Sequence, residues 1–257
     1  MNYGLYQSAG GVLSNLHEFQ VISNNLANTQ TTGFKADLAL AQQRLPERIE
    51  SGAAVDPQFL LERLGGGQLA SPTIIEFIQG NLKETGSSTD VAINGKGFFV
   101  VGPERGATEE SISLTRDGRF SLNAENHLVM SATGMHLLDG RNQPIELESG
   151  PFEINENGVI LQNGEEVATL AMRQVEQPDA LKKLGDGLLR ATLDSGAPVA
   201  DSTSTVRQGY LEESTVNPII AMKDLMELSR ALEANVRMMQ YQDLIMGQAA
   251  GTLGKVS

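Results

Sequence analysis

From Asn217 to about Met246 the chain returns an apolar or small residue every three or four positions, and beyond Pro218 no Gly or Pro interrupts it. Met222, Leu225, Ser229, Leu232, Val236, Met239, Asp243 and Met246 alternate in steps of three and four, continued by Ala250 and Leu253. This spacing predicts a long helix carrying a heptad seam, the pattern of a helix that lies along another. Asn217 is placed to cap it, and Pro218 sits at the first helical position, where a missing N–H costs nothing. At the other end of the chain Leu5, Ala9, Val12, Leu16, Phe19, Ser23 and Leu26 repeat the same steps, predicting a helix from about Tyr3 to Asn28. Each seam needs cover, and the two together predict terminal helices paired in a coiled-coil-like manner. Ile220, Met226, Leu228, Met238, Tyr241, Leu244 and Ile245 lie off the C-terminal seam, so a two-helix pair leaves them exposed as an interaction surface.

Between the helices the pattern changes twice. Residues 36–78 are less regular: Leu38–Leu45 continues as a short helix before Pro46, and Gly65-Gly66-Gly67 reads as a flexible connector. From about Ile74 to Val206, short apolar runs alternate with Gly turns, the pattern of an antiparallel β domain. Val91-Ala92-Ile93 and Phe98–Val101 flank Asn94-Gly95, and Ser113–Thr115 and Phe120–Leu122 flank Asp117-Gly118. Asn157-Gly158 precedes Val159–Leu161, and Asn163-Gly164 opens the next run; such pairs supply the positive φ that tight hairpins require. A short helical turn is expected at Pro178–Leu184, before Gly185.

The expected fold is therefore α+β: paired N- and C-terminal helices plus a central antiparallel β domain. Residues 1–35 together with 210–257 form the helical part, 36–78 the connector and 79–209 the β-rich part.

Charge and composition narrow the functions. A net charge of −13 opposes a nucleic-acid partner, because phosphates are repelled at long range. With no Cys, disulfides and thiolate metal sites are excluded. The start of the chain lacks the basic and apolar segments of a Sec-type signal, and no run approaches the roughly 20 apolar residues needed to span a bilayer, so direct membrane insertion is not expected. His17, His127 and His136 show no metal-ligand spacing, no Gly-x-Ser-x-Gly elbow is present, and Arg116-Asp117 reads first as turn chemistry before Gly118. No catalytic, cofactor or metal site is expected, and no enzyme.

Several motifs resemble one family. Ser23-Asn24-Asn25-Leu26-Ala27-Asn28, followed by Thr32-Gly33-Phe34-Lys35, is similar to the N-terminal signature of bacterial flagellar rod and hook proteins. Gly80-Asn81-Leu82, Asp90–Val100 and Thr115-Arg116-Asp117-Gly118-Arg119-Phe120 resemble its central block. Gln208–Glu212 and Arg230-Ala231-Leu232-Glu233-Ala234-Asn235 match near the C-terminus, so the likeness runs through nearly the whole chain. It departs at Leu114, Thr215 and Ile219–Ala221. The length is similar to that of a proximal or distal rod protein.

The resemblance implies a structural subunit of the basal-body rod. Such a subunit is exported without a Sec signal by the flagellar export apparatus and polymerises in the periplasm into a hollow helical tube that transmits torque to the hook. Its partners would be identical subunits, other rod and hook proteins, and surrounding ring proteins. The interface residues expected on this reading are Leu5, Val12, Leu16, Phe19, Leu26, Met222, Leu225, Leu232, Val236, Met239 and Met246. The composition alone also admits a stand-alone secreted β-domain binding module with its terminal helices packed intramolecularly.

Overall fold

The computed structural model of the protein describes residues 3–43, 68–105, 108 and 111–253. The chain divides into two compact units, one of Met1–Leu26, Asp37–Ile74 and Asn217–Ser257, the other of Ala27–Ala36 and Ile75–Val216.

The first unit holds helix α1 (Tyr3–Ala27), strands β1 (Asp37–Gln43) and β2 (Gln68–Ile75), and helix α2 (Pro218–Leu253). Asn217 caps α2, its Oδ1 accepting from the N–H groups of Ile219 at 3.0 Å and Ile220 at 3.4 Å. Coiled-coil-like pairing along a heptad seam is not what the structure shows. Among the described residues the two α-helices, one near each end of the chain, approach at Gly11, where a Cβ would lie 3.6 Å from Asn235 Nδ2. Expected seam positions face outward instead: Leu16 is 42%, Met222 52% and Val236 42% exposed.

The observed stripes include only part of the expected seam. Among the described side chains of α1 the buried ones are Ser14, Val21 and Asn25. In α2 the inward stripe runs through Ala221, Leu225, Leu228, Leu232, Asn235 and Met239. Small and hydrogen-bonded polar residues, Ser14 and Asn25 in α1 and Ala221 in α2, are buried beside the apolar positions of each helix. Asn25 is buried because its Oδ1 accepts from the Asp37 N–H at 2.9 Å while its Nδ2 donates to the Asp37 carbonyl at 2.8 Å. The same pair of bonds sets the backbone at the start of β1, so 37–43 is a strand and not the expected short helix. The Gly65–Gly67 connector reading and the Leu5 side chain lie outside the described residues.

The second unit is an antiparallel β body built around β5 (Phe98–Gly102), all five of whose residues are buried. A strand covered on both faces reads as a continuous apolar run, and its period of two sorts the side chains. Phe99 and Val101 enter one core with Phe120, Met130 and Ile160, while Phe98 and Val100 enter a second with Ile112, Leu114 and Leu189. β5 pairs with β6 (Ser113–Thr115), β9 (His136–Leu137) and β13 (Met172–Gln174). Beyond β6 lies β15 (Leu188–Arg190), then β14 (Lys182–Gly185); beyond β13 lies β16 (Val199–Ala200).

β11 (Val159–Gln162) and β12 (Glu165–Thr169) form a hairpin around Asn163 and Gly164, both at positive φ. Asn157-Gly158 lies between β10 (Phe152–Ile154) and β11, which also pair with each other, whereas Asn94-Gly95 and Asp117-Gly118 join strands that do not. β4 (Val91–Asn94) pairs with β17 (Thr205–Gln208) rather than β5, and β7 (Phe120–Leu122) pairs with β8 (Leu128–Met130) rather than β6. At Pro178–Ala180 the expected helical turn is a single 3-10 turn, and β14 follows it.

Candidate functional site

The feature that gathers the chain's motifs is a cluster of buried charge in the β unit. It starts at Gly33, whose φ of 66° suits glycine and whose missing Cβ leaves room for the carbonyl of Arg116. The Gly33 N–H donates to the Glu212 carbonyl at 2.8 Å, the Thr215 N–H to the Phe34 carbonyl at 3.2 Å, and the Ala36 N–H to Thr215 Oγ1 at 3.1 Å. Residues 33–36 therefore run beside 212–215. This brings Lys35 to Glu212, which lies on β18 (Tyr210–Glu212), the partner of β3 (Leu82–Glu84).

Lys35 is 2% and Glu212 1% exposed. Glu212 Oε1 accepts from Lys35 Nζ at 2.5 Å and from the Gly80 N–H at 2.7 Å; its Oε2 accepts from Arg116 Nη1 at 3.1 Å. Lys35 also donates to the Ile78 carbonyl at 2.5 Å, and Arg116 Nη2 to the Gly95 carbonyl at 2.6 Å. The cations are further held over rings: Arg116 Cζ lies 5.0 Å from the Phe77 centroid and 5.3 Å from that of Phe98, and Lys35 Nζ 5.1 Å from Phe77. Burial lowers the pKa of Lys35 and of Arg116; the charge of Glu212 and its hydrogen bonds oppose that shift in both.

Beside this triad Asp117 accepts from Thr32 Oγ1 at 2.5 Å and holds Arg119 through Nη2 at 2.9 Å. Hydrogen bonds to Asp117 raise the already high pKa of Arg119. Gly118 lets the backbone approach the Val91 carbonyl, where a Cβ would overlap it. Arg116-Asp117-Gly118 is thus not turn punctuation: all three residues are committed to tertiary contacts. This arrangement is a structural clasp that ties together five stretches distant in sequence, at 32–35, 78–80, 95, 116–117 and 212.

The expected site residues distribute as follows. Gly33, Phe34 and Lys35 lie in or against the clasp, with Lys183 Nζ 4.0 Å from the Phe34 ring centroid. Asn28 accepts from Thr31 Oγ1 at 3.0 Å through its side chain, closing the turn after α1. Asn25 holds Asp37, Asn24 and Ala27 are exposed, and Leu26 is half-buried. Val12, Phe19, Leu225, Leu232, Met239 and Met246 are half-buried, whereas Leu16, Met222 and Val236 are exposed. Sequence reasoning missed Phe77, and it placed Gly80 and Glu212 within family motifs without giving them a role. A hint for Glu212 was a carboxylate placed within a short strand after Tyr210-Leu211. His127 and His136, far apart as ligands in the sequence pattern, stack edge to face with centroids 5.3 Å apart. Among the described residues no three His, Asp or Glu side chains are grouped to hold a metal, and no helix is long and apolar enough to cross a membrane.

Comparison with known proteins agrees with the motifs. Residues 207–252 match a family model described as the C-terminal domain of flagellar basal body rod FlgEFG proteins, and residues 92–162 one described as the flagellar hook protein FlgE/F/G D1 domain. The first match spans the end of β17, β18 and nearly all of α2. The second covers the central strands with Arg116 and Asp117.

The chain is 31% identical to the flagellar basal-body rod protein FlgF of Caulobacter vibrioides, over 100% of each. It is 32% identical to the basal-body rod protein FlgG of Buchnera aphidicola from Acyrthosiphon pisum, over 93% of this chain and 95% of the relative. With the hook-basal body complex protein FlhO of Bacillus subtilis it shares 29%, over 98% and 99%. The chain belongs to the FlgE/F/G family of flagellar basal-body rod and hook proteins.

Proposed function

We propose that this structural subunit of the flagellar basal-body rod joins its neighbours through the outward faces of its terminal helices. The observation that carries the reading is the exposure of α2: Ile219 is 77%, Tyr241 65% and Ile245 62% exposed, with Met226, Met238 and Leu244 exposed beside them. Apolar surface at this density on one helix marks an interaction site, and Met adapts its contacts to irregular partners. The patches lie at the two ends of the helix, 219–226 and 238–245. Between them Glu233 pairs with Arg237 at 3.5 Å, and near the first patch Lys223 pairs with Glu227 at 3.4 Å.

In this reading the partners are further copies of the chain and other rod and hook proteins. Heterologous contacts repeat these along a helical tube that carries torque to the hook, inside surrounding ring proteins. The flagellar export apparatus delivers the subunit. Association then supplies cover for apolar surface that the single chain leaves in water, so assembly stabilises the helices. Tyr241→Asp and Ile245→Asp test this. Both positions are exposed, so the purified variants are expected to keep the parent's circular dichroism and melting. Cells carrying only either variant are expected to lose incorporation of the subunit into basal bodies, and motility with it. Normal basal bodies and swimming in both strains would overturn the reading.

A further inference from the structure

Between Arg141 and Arg173 the β unit carries six Glu and no Lys or Arg. Two of the six share a face. In the sheet of β10, β11 and β12, Glu153 lies opposite Leu161 and Leu161 opposite Glu166, so the three side chains form one row across the strands. Phe152, Ile154 and Ile160 enter the first core on the other face, which leaves the row on the outside. Glu153 and Glu166 are exposed and Leu161 is half-buried between them; Val159 is half-buried beside it, and Val167 is exposed where the register shifts. Two strand spacings set Glu153 and Glu166 about 10 Å apart at the backbone. Glu166 accepts from the Thr169 hydroxyl at 3.5 Å, and neither Glu makes an ion pair among the described residues.

A different sheet carries the opposite charge. β14 is the outermost strand of the sheet built on β5, and its Lys182 lies directly across from Arg190 of β15. Both are exposed, and neither makes an ion pair among the described residues; Asp179, Asp186 and Asp194, near them in sequence, make none either. Like charges directly opposite each other destabilise a strand pair. One Lys is enough to guard a sheet edge against unwanted pairing. A second cation facing it makes physical sense in a chain of net charge −13 when an anionic surface comes to meet both.

Exposed leucines flank the two cations. Leu184 follows on β14, and Leu193 stands fully in water on the loop after β15. That loop is fixed: Thr192 Oγ1 donates to the Ala180 carbonyl at 2.9 Å, and the buried Ser195 Oγ accepts from the Thr192 N–H at 2.8 Å. An apolar side chain already held in place by its loop costs little further ordering when a partner covers it.

We propose that these two surfaces meet between copies of the chain, the β14–β15 hairpin of one seated on the Glu153–Leu161–Glu166 row of the next. Lys182 and Arg190 splay apart to reach the two carboxylates, and their aliphatic stems cover Leu161. Leu184 and Leu193 extend the contact over Val159 and Val167. Because the two surfaces belong to different sheets, the contact is heterologous and repeats head to tail. The assignment rests on the reading of the chain as a subunit in contact with further copies, and it is separable from the helix faces.

Charge reversal tests it. Lys182→Glu with Arg190→Glu reverses one surface, Glu153→Lys with Glu166→Lys the other, and a chain with all four substitutions restores complementarity. All four positions are exposed, so the purified variants are expected to keep the parent's circular dichroism and melting. The readout is incorporation into purified basal bodies, by quantitative immunoblot, in cells carrying only one version of the chain. Each double reversal is expected to lower it about tenfold or more, and the fourfold variant to return within about twofold of the parent. A double reversal that incorporates like the parent overturns the assignment. So does a fourfold variant as poor as the doubles, since the surfaces would then meet other proteins. Tyr241→Asp and Ile245→Asp separate the two readings. Their normal incorporation beside a rescued charge swap removes the helix contact and leaves this one; their loss beside a parent-like reversal removes this one alone.

Discussion

Replacing Glu212 by Gln isolates the charge at the centre of the clasp. The substitution keeps the shape and one acceptor oxygen, so Gly80 can still donate, but it leaves Lys35 and Arg116 as two buried cations without their anion. Both are almost completely withdrawn from water, at 2% and 3% exposure. Removing one member of a buried ion pair costs about 3–5 kcal/mol, since the remaining charge keeps its desolvation penalty. Here two cations are stranded, which places E212Q at or above that range. For a protein of this size the loss corresponds to a drop in melting temperature of about 6–20 °C. Urea and thermal unfolding followed by far-ultraviolet circular dichroism would read it, as the chain has no Trp. The triple variant Lys35→Met, Arg116→Met, Glu212→Leu is expected to cost less than E212Q, because no charge is stranded.

The pH dependence gives a second readout of the same idea. Burial lowers the Lys35 pKa below its ordinary 10.5, and the loss of Glu212 removes the group that resists this. Between the lowered native value and 10.5 the unfolded chain binds the additional proton, so stability rises with pH across that window, and on acidification it falls from 10.5 down to the native pKa and is level below it. The deficit of E212Q relative to the parent should therefore shrink as the buffer is made alkaline. An E212Q protein within about 1 kcal/mol of the parent at pH 7, with no recovery on the alkaline side, would refute the account of the clasp as a coupled buried triad.

Two further substitutions probe neighbouring claims. Gly118→Ala drives a Cβ into the Val91 carbonyl and should destabilise the β unit by about 2 kcal/mol or more; an unchanged denaturation midpoint would show that the backbones separate freely there. Asn217→Ala removes the acceptor for the Ile219 and Ile220 N–H groups, and should cost about 1 kcal/mol, read as faster hydrogen exchange over 219–222 with the β unit unaffected.

What the sequence made legible follows from which signals are local. The cap at Asn217, the long C-terminal helix and the Asn163-Gly164 hairpin depend on residues a few positions apart, and each is in the structure. The coiled-coil pairing was over-read because a seam read from large apolar residues ignores what a small or satisfied polar residue permits. Gly11 admits Asn235, and Asn25 is buried on the strength of two bonds to Asp37. Asp117-Gly118 misled for a related reason. The pair has the chemistry of a tight turn, but the requirement it meets is tertiary: Asp117 receives Thr32, and Gly118 makes room for Val91. The clasp itself was hidden because its members, Lys35, Arg116 and Glu212, are separated by most of the chain and each alone resembles an ordinary surface charge. Their burial is intelligible only together, since none of the three could leave water without the other two. The same dependence explains why the recognisable motifs sit at both ends and in the middle of the chain: one buried cluster draws on all three segments.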